Sequence, residues 1–236
     1  MRMSDIGKLR TTAITFLYLD FVPTSYLPYV QHPFTNSYYV GKNDENGNWQ
    51  VFNLLNEKDA NIWRETLKQK ILQGGVDTIF QMLNPAFILT FLKWTKDSIV
   101  PEDMGRILNK YWTGIEYINT DPDVNGMTIL SFFRKADSKT LMTKEEQEVI
   151  CNLPEQVKIY RGVTSFNKKY KKALSWTLDR KKAEWFANRF NTGTGEVWTL
   201  TVPKKKILCC FLRRNENEVI VDLYRQQYKI EVEKSN

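Results

Sequence analysis

The chain has 236 residues, 42% of them hydrophobic and 13% aromatic, which is enough to bury one core or two small ones. Its formal charge of +7 is uneven: residues 151–236 carry 18 Lys and Arg against 9 Asp and Glu, leaving 16 against 18 in the rest, so an anionic ligand or partner is expected for the C-terminal part. Three cysteines without paired spacing (Cys151, Cys209, Cys210) argue against a disulfide framework or a zinc site, and the single histidine, His32, leaves little room for a Ser–His or Cys–His triad.

The basic start, Arg2 to Arg10, followed by the apolar Thr11 to Leu19, has the outline of a signal peptide. No small-residue cleavage site follows, and a cytoplasmic location is expected. Asp20, Pro23 and Pro28 interrupt the apolar stretch 11–30, as Asp77, Gln81, Asn84 and Pro85 interrupt 76–95, so neither reads as a membrane span. Residues 36–54 read as a β-hairpin around the turn 43–48. From Glu57 the period changes: Ala60, Ile62, Trp63, Leu67, Ile71 and Leu72 recur at helical spacing until Gly74-Gly75. Further helices are predicted over roughly 76–83, 86–97, 102–113, 127–136 and 143–152, punctuated by Pro85, Pro101 and a turn at 121–126. Thr143 and Glu146 have the spacing of a capping box.

Beyond Pro154 the pattern becomes short β-branched and aromatic runs: 157–161, 173–178, 196–202, 206–212, 218–223 and 228–233. One helix, 179–190, interrupts them, with Ala183, Phe186, Ala187 and Phe190 at helical spacing, and a turn at Gly193–Gly195 follows it. Helices first and strands later argue for an α+β fold. Three segments are expected: an N-terminal segment with the hairpin (1–56), a helical region (57–153) and a β-rich core (154–236).

Three short motifs in this last segment carry chemistry. Tyr160-Arg161-Gly162 ends a strand, where a guanidinium can hold a phosphate through two parallel hydrogen bonds and a glycine lets a flat ring approach the backbone. In Ser175-Trp176-Thr177, alternation puts the two hydroxyls on one face and the indole on the other. Thr177 or Asp179 also suits the cap of the following helix. Glu216-Asn217-Glu218 leads into Val-Ile-Val-Asp-Leu, a run apolar on both faces that reads as an inner strand. Two carboxylates at its mouth have no packing reason to be there, and each raises the pKa of the other. A strand already under way at Glu216 would turn both to one side.

In order and context these motifs resemble the arginine-serine-glutamate class of ADP-ribosyltransferases, which includes bacterial toxins, vertebrate ectoenzymes and phage enzymes. The likeness covers about residues 156–223: Tyr160-Arg161-Gly162, then Ser175-Trp176-Thr177 with Trp185-Phe186-Ala187, then Glu216-Asn217-Glu218. The resemblance implies a mainly antiparallel two-sheet core, NAD as cofactor, and transfer of ADP-ribose to a macromolecular acceptor with release of nicotinamide. It implies that Arg161 binds an NAD phosphate and that the Gly162 backbone meets the carboxamide. Ser175 would position Glu218, which would hold the nicotinamide ribose and stabilise its cationic form. Glu216 would activate the acceptor, a glutamate there being typical of members that modify arginine. Tyr160, Trp176, Thr177 and Phe186 would complete the pocket. The chain departs from the family in reading Ser-Trp-Thr for Ser-Thr-Ser and in its short loop before Glu216, Leu212-Arg213-Arg214-Asn215. The helical region would cover the cofactor or dock the target.

A protein acceptor is therefore expected, with no metal and no membrane. Two other readings stand beside it. One is a non-catalytic binder of NAD or of a partner on the same fold. The other is a nucleic-acid-binding protein, motivated by Lys168–Lys172, Lys204–Lys206 and Arg213-Arg214.

Overall fold

The computed structural model describes residues 3–43, 47–114, 124–189, 195–224 and 227–234. The turns expected at 43–48, 121–126 and Gly193–Gly195, and Phe190, lie wholly or partly outside them. The fold is α+β, and it divides into two compact units: residues up to Val100 with the short stretch at Gly114, and Pro101–Thr113 with the remainder. The boundary thus falls at 100/101 rather than at 56/57 and 153/154, because the later helices pack on the C-terminal sheet.

The first unit holds α1 (Ile6–Leu17), β1 (Val22–Pro23), β2 (Tyr29–His32), β3 (Thr35–Ser37), β4 (Tyr39–Asn43), β5 (Trp49–Asn53), α2 (Glu57–Gln73), α3 (Val76–Met82) and α4 (Ile88–Thr95). β4 and β5 form the expected hairpin, paired from Tyr39↔Asn53 to Asn43↔Trp49. Asn56 caps α2 by accepting from Lys58 N at 2.9 Å, and Gly74 ends it. The helix expected over 86–97 is α4 flanked by 3₁₀ turns at Pro85–Phe87 and Lys96–Ser98. Helix α1 and the small β1–β3 sheet have no counterpart in the sequence reading, although Leu9, Ala13, Phe16 and Leu17 do bury one helical face.

The second unit holds α5 (Pro101–Tyr111), α6 (Gly126–Lys135), α7 (Ser138–Leu141), α8 (Lys144–Asn152), β6 (Gln156–Val163), β7 (Ser175–Thr177), α9 (Arg180–Asn188), β8 (Glu196–Pro203), β9 (Ile207–Phe211), β10 (Glu218–Val221) and β11 (Glu231–Lys234). The expected capping box of α8 forms: Thr143 N donates to Glu146 Oε2 at 2.8 Å, and Glu146 N to Thr143 Oγ1 at 3.2 Å. The strand expected over 228–233 begins only at Glu231 and is exposed throughout.

Where two sheets are expected, one six-stranded antiparallel sheet forms, in the order β11-β8-β6-β7-β10-β9. It is nearly divided in the middle. β6 pairs with β8 along all eight residues from Gln156↔Pro203 to Val163↔Glu196, but with β7 through the single pair Tyr160↔Thr177. Val157, Ile159, Trp176, Trp198, Leu200, Val219 and Val221 form the main core of this unit. Ala183 and Ala187 of α9 pack with Val197 and Tyr160 in a second, smaller cluster.

Candidate functional site

The cleft opens where the sheet parts. Past Tyr160↔Thr177, β6 continues through Arg161 and Gly162 without a β7 partner, while β7 runs on along β10 through Trp176↔Val219 and Ser175↔Ile220. The space left has a volume of about 210 Å³. Tyr160, Arg161, Gly162, Ser175, Trp176, Thr177, Phe186, Glu216 and Glu218 all border it. The three motifs thus converge on one cleft, and Thr164, Asn167 and Arg189 complete its edge.

Glu218 is the first residue of β10, opposite Thr177. Its Oε1 accepts from Trp112 Nε1 at 3.0 Å, and the Ser175 hydroxyl donates to the same carboxylate. Burial raises the Glu218 pKa above the ordinary carboxylate value and is the largest influence on it. The two donors pull it back, Glu216 pushes it up further, and Arg161 draws it down. Opposed forces thus act on this carboxylate, with burial the strongest.

Arg161 keeps part of its surface open to the cleft, yet protein packs closely around its guanidinium. Burial pulls its pKa down to about 10, partly offset by Glu218, so it remains a cation at neutral pH. Its Nη1 donates to the Ser175 carbonyl, while its buried Nε finds no protein partner. A guanidinium at the border of a cleft is suited to an anion.

The loop from β9 to β10 carries Glu216 in an unusual backbone. Arg214, Asn215 and Asn217 all have positive φ, at 58°, 52° and 45°. Asparagine tolerates this region; arginine rarely enters it. Glu216 is therefore on a turn rather than in a strand, and it reaches the cleft by the shape of the loop. Several bonds hold that shape. Thr177 Oγ1 donates to Glu216 O at 2.6 Å, Leu178 N to Asn217 O at 3.0 Å, and Leu212 N to Glu146 Oε1 at 3.0 Å. Thr177 also accepts from Asp179 N at 3.0 Å, and Asp179 caps α9 by accepting from Lys181 N at 2.8 Å. The site and the helix cap share one threonine.

Two motif residues owe their identity to packing. Gly162 borders the cleft and also lies against α9: a Cβ there would sit 2.2 Å from Ala183 O and 2.6 Å from Ala187 N. Glycine is required because α9 rests directly on β6, which also brings Phe186 to the cleft. Trp176 is 2% exposed within the main core, and its indole N–H donates to Ala173 O at 2.8 Å. Its ring is thus turned into the core, as strand alternation requires, and the Ser-Trp-Thr departure leaves the cleft's hydroxyls in place. On the outer side of α9, Trp185 is 58% exposed, with Lys182 and Arg189 over its ring.

Cys209 and Cys210 lie in β9 beside the site, but burial pushes both thiols up, Cys210 to about 12, so neither is a nucleophile at neutral pH. Among the described residues no cluster of His, Cys, Asp and Glu is arranged to hold a metal, and no helix is long and apolar enough to cross a membrane.

No match is found. Neither protein-family models, nor curated proteins, nor solved structures align with the chain. Sequence reasoning missed Trp112 and the Arg213 anchor at Asn109 (2.7 and 2.6 Å). Met104, Leu108 and Trp112 repeat at four-residue spacing, which marks them only as a buried helical stripe.

Proposed function

We propose that the chain is a mono-ADP-ribosyltransferase, with an ADP-ribosyltransferase-like core, that moves ADP-ribose from NAD to the side chain of an arginine on a protein and releases nicotinamide. The observation that carries the reading is the Glu218 carboxylate: partly buried, held by two neutral donors, and sharing one cleft with a partly buried cation and a second carboxylate.

The chemistry follows from that grouping. The bond from the ribose anomeric carbon to the nicotinamide nitrogen breaks, its electron pair leaves with neutral nicotinamide, and positive charge develops on the sugar. A fixed carboxylate beside that carbon stabilises the charge, as in glycoside cleavage. Glu218 fills this role, with Ser175 and Trp112 fixing its orientation and Arg161 taking a phosphate oxygen. Glu216, on the loop, accepts the proton of the attacking guanidine nitrogen as the new bond to the ribose forms. Tyr160 and Phe186 offer rings to the nicotinamide. About 210 Å³ is small for a whole dinucleotide, since cofactor-sized pockets run from about 300 Å³ upward. The cleft therefore suits the nicotinamide riboside end, with the rest of NAD lying over the edge that Asn167 and Arg189 complete.

Incubation with labelled NAD and whole-cell lysate, wild type beside Glu218→Gln, followed by mass spectrometry of the labelled material, tests the reading. The expected result is labelled protein with ADP-ribose on arginine, absent with the variant. Label on RNA or DNA would replace the acceptor class. No labelling and no nicotinamide release at high enzyme concentration would favour a binding protein instead.

A further inference from the structure

We propose that the end of α5 and the 3₁₀ turn that follows it (Trp112–Gly114) form a positioning element that sets both carboxylates of the cleft from behind: Trp112 aims Glu218, and Asn109 anchors the loop that carries Glu216. The catalytic meaning rests on the function proposed above; the geometry does not.

Trp112 is 2% exposed and does not border the cleft, and its ring meets Phe133 edge-on at 4.7 Å. Phe133 in turn packs near Phe211, the last residue of β9. The indole is thereby fixed in the helical layer, and its one polar atom is directed at Glu218 Oε1. A buried indole N–H normally finds some partner, often a backbone carbonyl, as Trp176 does. Pointing it instead at a carboxylate that faces a cleft fixes that carboxylate's orientation at the mouth of β10.

Three residues earlier, Asn109 uses both ends of its amide. Its Nδ2 donates to Leu141 O at 2.9 Å, while its Oδ1 and backbone carbonyl accept the two arms of Arg213 at 2.6 and 2.7 Å. Arg213 opens the left-handed turn of Arg214, Asn215 and Asn217. Asn109 in the last turn of α5 and Trp112 at the start of the 3₁₀ turn after it thus grip the loop and the carboxylate from one short stretch of chain.

The groups facing Glu218 are Arg161 from β6, Ser175 from β7, Cys209 and Cys210 from β9, Glu216 from the loop and Trp112 from the helical layer. Only Ser175, Trp112 and Arg161 favour its ionised form, so losing one is felt.

The test needs no catalysis. In unmutated protein labelled with 15N at the indoles, one indole N–H should move with pH over the range in which the Glu218 carboxyl carbon titrates, and the same signal should be flat in Glu218→Gln. No indole coupled to that titration would overturn the assignment, whether or not NAD is cleaved. The second arm is Trp112→Phe, which keeps the bulk and removes the donor. The Glu218 pKa is expected to rise further, and the acid limb of the kcat profile to move to higher pH with it, with KM for NAD unchanged. A pH profile superimposable on wild type would overturn it. In Asn109→Ala the loop loses its anchor: transfer to an arginine acceptor should fall severalfold relative to hydrolysis of NAD by water, and equal losses in both would count against the loop half of the proposal.

Discussion

Two ionisable groups whose pKa burial shifts, one in each unit, differ in what surrounds them. His32 in β2 is fully buried among Phe21 (4.6 Å), Trp63 (5.7 Å) and Phe34 (6.3 Å). Burial first, and then the Arg64 guanidinium, lower its pKa to about 4, with the carbonyls of Leu17 and Leu19 pulling weakly the other way. Its Nδ1 accepts from Phe34 N at 3.1 Å, which fixes the neutral ring with the proton on Nε2. Glu218 is also shifted by burial, but it has two donors, a cation and a second carboxylate around it, and it borders a cleft. A perturbed pKa alone does not mark a site. His32 is a packed aromatic that happens to be titratable; Glu218 is a charge kept within reach of a ligand.

Paired substitutions sharpen that contrast. Glu218→Gln keeps the shape and should lower NAD turnover by about two to three orders of magnitude, whereas His32→Gln should leave turnover near wild type; steady-state nicotinamide release measures both. A comparable loss in both would erase the distinction.

The two groups should also pull stability in opposite directions with pH. For His32 the folded pKa lies below the unfolded value of 6.5, so its contribution is present above pH 6.5 and is lost as pH falls toward 4, about 3 kcal/mol in all. For Glu218 the folded pKa is raised, so ionising it at neutral pH costs stability. Glu218→Gln should then melt higher than wild type at pH 7, with the gain disappearing under acid. Denaturant titrations across pH check both signs, and an acid midpoint unmoved by His32→Gln would contradict the first.

The walls of the cleft give smaller effects. Gly162→Ala puts a methyl 2.2 Å from Ala183 O, and about 1–3 kcal/mol of destabilisation is expected as α9 is pushed from β6. Arg214→Gly removes a left-handed arginine from the loop and should stabilise by ~1 kcal/mol, with reduced transfer if the turn loosens.

Much of this site was legible because its signals are local. Alternation along Ser175-Trp176-Thr177 gives the faces, the Thr143–Glu146 spacing gives a cap, and the apolar run after Glu218 gives an inner strand. The remainder depends on contacts between distant residues. Trp112 reaches Glu218 across 106 residues of sequence, and nothing in the residues around 112 announces an acceptor. Glu146 was legible as a capping residue, but its second oxygen holding Leu212 N was not. Gly162 was legible as a point of close approach, but not the packing of α9 against it, since a sequence does not say which element will lie against a glycine. The parting of the sheet at Tyr160↔Thr177, which makes the cleft, is a matter of register between strands, and no single strand encodes it.

The central claim is that Arg161, Ser175 and Glu218 line a pocket for a pyridine dinucleotide. Equilibrium binding of NAD to the turnover-deficient Glu218→Gln protein, with and without a second change Arg161→Lys, tests it most directly. The account predicts saturable binding that weakens roughly tenfold or more when the guanidinium fork is lost. A protein indifferent to NAD, or one that binds it equally well with lysine at 161, would contradict it.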